Sequence, residues 1–148
     1  MPITDATRRQ AEKLAGRLPD IEGLLDDLLQ GDTLSDNRSI ELFDGIPRAE
    51  LRDRFNTFRA AVRALADGTP PNPQAIADGL SIVKGEFIIA SNVDEQTVRG
   101  SGPQNLKDRH AFEQGRTSAT ATMQLMLDIA EDVGVPAAAE YRVGLGFV

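Results

Sequence analysis

The sequence predicts an all-α fold, an antiparallel bundle of four to five helices forming a single helical domain over residues 1–148. Three observations carry that prediction. Apolar residues recur at three- and four-residue spacing through most of the chain. Glycine and proline fall mainly between those periodic stretches. Of the 148 residues 41% are hydrophobic and none is cysteine, which suffices for a core that needs neither disulfides nor structural metal.

The first helix is expected over 5–18, capped by Thr4 or Asp5 and stopped by Pro19. Its apolar stripe of Ala11, Leu14 and Leu18 is thin, so it is expected to lie at the periphery. A second helix over 20–30 places Ile21, Leu24, Leu25, Leu28 and Leu29 on one face and ends at Gly31. Residues 32–46 read as a connection, with room for a short helical turn, from which Ile40, Leu42 and Phe43 turn back into the core.

Pro47 is suited to open a helix over 47–67, whose stripe is Leu51, Phe55, Phe58, Val62 and Leu65. The stiff turn Gly-Thr-Pro-Pro-Asn-Pro at 68–73 separates two halves of one domain. Asn72 can cap the next helix, expected over 73–91 with Ile76, Leu80, Val83, Phe87 and Ala90 in register. A hairpin around Lys84-Gly85 is the rival reading of 80–91, since that run is β-branched and glycine costs a helix about 1 kcal/mol. Five residues on one helical face decide for the helix.

Residues 92–102 read as a polar loop, followed by the longest helix, 103–133. Its second half carries Met123, Met126, Leu127 and Ala130 on one face, and Gly115 marks a place where it could break. Gly134 and Pro136 end it. The tail YRVGLGFV alternates more like a short extended segment than a helix. The expected core is Leu24, Leu28, Phe55, Phe58, Val62, Leu80, Phe87, Met123, Met126 and Ala130.

A formal net charge of −7 disfavours nucleic acid as a partner, because binding to phosphates is driven by basic side chains. No apolar run approaches the roughly 20 residues of a membrane span, and the opening MPITDATRRQAEK lacks the apolar core of a signal peptide. A soluble, cytoplasmic protein is therefore expected. His110 is the only histidine, which excludes a carboxylate-bridged di-iron site and histidine zinc sites; no metal and no cofactor is expected. Ser81-Ile-Val-Lys84 and Ser35-Asp36-Asn37 match two motifs of penicillin-recognising enzymes in the wrong chain order without the third, and are chance matches.

Two clusters remain. Arg48, Arg52, Arg59 and Arg63 line up within about 60° of one another beside the apolar stripe. They can grip an acidic partner, or cover the edge of the stripe with their stems and pair with the chain's own acids. With the apolar end Phe147 and Val148 they make the expected partner-binding set. The second cluster is the glycine-rich loop Arg99-Gly-Ser101-Gly-Pro103 ahead of Arg109, His110 and Glu113, an arrangement that could bind an anionic ligand or do acid–base work. No catalytic set is completed. The favoured reading is a non-catalytic protein-interaction module, a subunit, adaptor or chaperone-like protein, with a small enzyme or anion-binding protein as the alternative. Homo-oligomerisation through the small residues 117–122 is a subsidiary expectation.

Overall fold

A computed structural model describes residues 3–30, 34–100 and 106–147, with the backbone alone for 90–100 and 106–118. It is all-helical, with no strand among the described residues. Six helices follow one another: α1 (Asp5–Gln30), α2 (Asp36–Leu42), α3 (Leu51–Ala66), α4 (Pro73–Gly100), α5 (Leu106–Asp132) and α6 (Ala137–Gly144). A single turn of 3-10 helix, Arg48–Glu50, leads into α3.

The four long helices form an up-down-up-down bundle in the cyclic order α1, α3, α4, α5. Thr7 meets Asp132, Gln10 meets Asp128 and Arg17 meets Thr122, so α1 and α5 are antiparallel. Glu22 meets Arg59 while Asp26 meets Arg52, so α1 and α3 are antiparallel as well. The short connection 67–72 reverses the chain between α3 and α4, which sets α4 antiparallel to α5 in turn. Leu51, Phe55, Phe58, Val62 and Leu65 of α3 are all fully buried, as the sequence predicts. Each such side chain contributes about 1.5–3 kcal/mol relative to exposure.

Helix α1 departs from expectation. It runs unbroken from Asp5 to Gln30 with Pro19 inside it, and it is not peripheral: Ala11, Leu14, Leu18, Ile21 and Leu25 are buried along its whole length. A proline inside a helix costs about 3 kcal/mol, less than four buried aliphatic side chains at about 1.5–3 kcal/mol each return. Because the stripe passes through Leu18 and Ile21 without a change of phase, one helix aligns both halves on the same groove. Leu24 and Leu28, placed in the core by the two-helix reading, are only half-buried. Thr4 is the N-terminal cap, its Oγ1 accepting from the Thr7 N–H at 3.1 Å.

In the connection, Leu42 and Phe43 are buried as expected, together with Leu34 and Ile46, but Ile40 is 41% exposed on the outer side of α2. Residues 80–91 are helix, and α4 continues through the expected loop to Gly100; from Glu86 to Arg99 the sequence contains no glycine or proline to stop it. Helix α5 passes through Gly115 without a break. The C-terminal segment is helical through Gly144, not extended. Tyr141, Leu145 and Phe147 pack half-buried on the core, because α6 returns over the outside of the bundle and completes its cover.

The first half of α4 is enclosed. From Ala75 to Glu86 nearly every side chain is buried, Lys84 and Glu86 included. Two glycines in this stretch make the close packing feasible: a Cβ at Gly79 would overlap the Phe58 ring, and one at Gly85 would overlap the Phe43 ring and the Leu42 carbonyl. The propensity lost at each glycine, about 1 kcal/mol, is offset by two fully buried aromatic rings.

Candidate functional site

The arginine row predicted on the face of α3 is present, and most of it is turned to α1. Arg48 donates to the Leu34 carbonyl at 3.1 Å and to the Leu29 carbonyl in the last turn of α1, where a cation also meets the negative end of the helix dipole. Arg52 pairs with Glu22 at 3.4 Å and with Asp26. Arg59 reaches Glu22 at 2.8 Å and lies over the Phe55 ring, 5.3 Å from its centroid. Arg63 is exposed and makes no ion pair among the described residues. Arg54, which lies off the predicted row, binds Glu50 at 3.0 Å and both oxygens of the largely buried Asp78 at 3.1 and 3.2 Å. Hydrogen bonds to Glu50 and then to Asp78 hold its guanidinium still more firmly in the charged form.

Of the apolar end, Phe147 packs edge-on against Phe87, with centroids 5.5 Å apart and planes at 61°. Val148 lies outside the described residues, as does Ser101. The side chains of Arg99, Arg109, His110 and Glu113 also lie outside them. In the small-residue segment 117–122, Thr122 is buried and accepts from Arg17 of α1 at 3.3 Å.

A polar knot that sequence reasoning missed sits on the outer side of α4. Lys84, 7% exposed, donates to Asp44 Oδ1 at 2.5 Å. Tyr141 of α6 donates its hydroxyl to the other oxygen of Asp44, and its ring centroid lies 5.5 Å from Lys84 Nζ. One carboxylate thereby joins the turn after α2, the middle of α4 and the C-terminal helix. Asp44 holds this position with φ 53, in the left-handed region that suits glycine better. The Gly45 N–H bonds the Ile40 carbonyl at 2.8 Å and closes the end of α2.

Two residues beyond Lys84, Glu86 is 6% exposed and its Oε1 is shielded with no hydrogen-bond partner among the described residues. Burial pushes its carboxyl well above the ordinary carboxylate range, because the charged form loses its water. The signal for both residues was in the sequence: Lys84 and Glu86 stand inside the run LSIVKGEFIIA, apolar on either side. On α6, Arg142 binds Glu131 at 2.6 Å and Asp128 at 2.8 Å. These two hydrogen bonds, that to Glu131 foremost, keep it charged.

Among the described residues no group of three His, Cys, Asp or Glu side chains is placed to hold a metal ion, and no helix is long and apolar enough to cross a membrane. Compared with protein-family models, with curated proteins and with solved structures, the chain finds no match. Among the described residues the exposed large hydrophobics are Ile40 on α2, 41% exposed, and Val143 on α6, 70% exposed. Glu140 on α6 and Glu131 and Asp132 at the end of α5 are exposed.

Proposed function

We propose that the protein is a non-catalytic helical module of the cytoplasm that binds another protein through its outer layer, α2 and α6. The observation that carries this reading is the exposure of Val143 on an element whose neighbouring apolar residues, Leu145 and Phe147, are only half-buried. A valine left outward on a helix that otherwise covers the bundle fits the centre of a contact patch. The exposed carboxylate of Glu140 and that of Asp132, which the Thr7 hydroxyl engages on one oxygen, favour a partner with an apolar anchor flanked by lysine or arginine. The arginine row contributes to the module's own rigidity, with Arg63 the member left to solvent.

The test uses a fluorescent amphipathic peptide of leucine and lysine, with its leucine–glutamate counterpart as control. The leucine–lysine peptide is expected to bind and Val143→Asp to abolish binding while the helical circular dichroism signal is unchanged. Equal binding of both peptides, or binding that survives Val143→Asp, refutes this surface as the contact.

A further inference from the structure

We infer that α6 opens from the bundle as a unit, hinged at residues 133–136 and latched by the hydrogen bond between Tyr141 and Asp44 together with the ion pairs of Arg142 to Glu131 and Asp128.

The first support is how little of α6 is buried. Ala138 is its one fully buried side chain, while Tyr141, Leu145 and Phe147 are half-buried; α3 buries five large side chains completely. Elements with few buried apolar contacts open at lower free energy than the core. A helix of eight residues does not persist alone in water, so its order depends on a few docking contacts.

The second support is the hinge. Helix α5 is closed off by Gly134 at φ 85, with the Val135 N–H on the Ala130 carbonyl at 2.8 Å and the Gly134 N–H on the Glu131 carbonyl at 3.1 Å. Pro136 then has no N–H to give. The bonds that end α5 are complete without α6, so α6 can leave without unravelling the helix before it.

The third support is Asp44. Helix ends at Gly68, Gly134 and Gly146 use glycine at positive φ, and α2 alone among these uses a residue with a side chain, at φ 53. Glycine would suit that backbone better, and what aspartate adds is the carboxylate that accepts from Lys84 and Tyr141. When α6 lifts, Lys84 keeps Asp44 as its partner and stays neutralised. The opening breaks the Tyr141 bond at the knot and the two ion pairs of Arg142 with Glu131 and Asp128, whose carboxylates are partly exposed and pass to water, so it leaves no buried charge stranded, while it bares the strip of α4 between Lys84 and Phe87.

Native-state hydrogen exchange tests this on the full chain. Amides of 138–147 are expected to exchange faster than those in the middle of α1 and α3. Tyr141→Phe, which keeps the ring beside Lys84 and removes only the hydroxyl, is expected to speed them about tenfold further, as loss of a hydrogen bond to a charged group would, and to leave α1 and α3 unchanged. Phe147→Ala, acting at the other end of the docked segment, is expected to do the same. Exchange of 138–147 at the same free energy as α1 and α3 overturns the inference, as does a Tyr141→Phe effect that is absent or equal in all helices.

Discussion

Glu86→Met is expected to make the protein more stable, and the pH dependence of the gain identifies its cause. In the folded chain the Glu86 carboxyl is almost fully buried, one oxygen has no hydrogen-bond partner among the described residues, and burial raises its pKa well above the ordinary range. An unsatisfied buried polar group costs about 1–3 kcal/mol, and methionine has nearly the shape of glutamate without the polar atoms. The folded state holds the Glu86 proton more tightly than the unfolded chain. Below the unfolded pKa both states are protonated and this group's contribution is fully present. As pH rises past that value the unfolded chain releases the proton first, and stability falls by about 1.4 kcal/mol per pH unit until the raised folded pKa is reached. The advantage of the Met variant should therefore be about 1–3 kcal/mol at acid pH and larger near neutrality. Urea unfolding followed by circular dichroism at about pH 4.5 and about pH 7.5 measures it. A variant less stable at both pH values, or an advantage that shrinks as pH rises, would refute the reasoning.

Three further outcomes follow from the packing. Gly79→Ala should lower stability by about 1–3 kcal/mol despite its better helix propensity, because the added methyl meets the Phe58 ring; Gly23→Ala, with nothing near its Cβ, should raise it by about 0.4–1 kcal/mol. Thermal melts of the pair decide this, and a stabilising Gly79→Ala would show that α3 and α4 lie further apart. Pro19→Ala should stabilise by about 2–3 kcal/mol by restoring a helix bond in α1; a loss of stability instead would mean that Pro19 sets a bend the bundle needs. Glu22→Gln should cost about 1 kcal/mol or less, with the loss shrinking at high salt, since the Arg52 and Arg59 pairs are partly exposed. A larger, salt-independent loss would mean the arginine row is more deeply desolvated than its exposure implies.

The parts of the fold that sequence reasoning recovered are those where a stripe of large apolar residues keeps helical spacing, as from Leu51 to Leu65 and from Met123 to Ala130. Such a stripe has one way to be buried. Where it went astray, a local signal was weighed against a longer one. Pro19 and the polar run 92–100 both suggest breaks when read locally. Across Pro19, however, the stripe keeps its phase from Leu14 to Leu25. Polar composition is no obstacle to a helix that packs along a neighbour. The tail's alternation misled because a segment as short as α6 takes its form from what it docks on. The arginine row was legible as a row, but its direction depended on the acids of α1, which no spacing within α3 reveals. Asp44, Lys84 and Tyr141 are far apart in the chain, so their meeting had no sequence pattern; of the three only Lys84 was marked, as a charge inside an apolar run.

The enclosure of α4 has a consequence for how the protein comes into being. During synthesis α1 and α3 can pair as soon as they have emerged, since each already carries a complete apolar stripe for the other. Helix α4 then follows with its outer side uncovered, and the aromatic ring of Phe87 and the Lys84–Asp44 pair wait for residues 141–147, the last described stretch to leave the ribosome. Over that interval the nascent chain carries an adhesive strip at its centre, which makes the speed of translation through α5 and the supply of holding factors part of the yield of native protein. Slower decoding of the segment before α6 should therefore show up as aggregation, with the mature protein's stability unchanged.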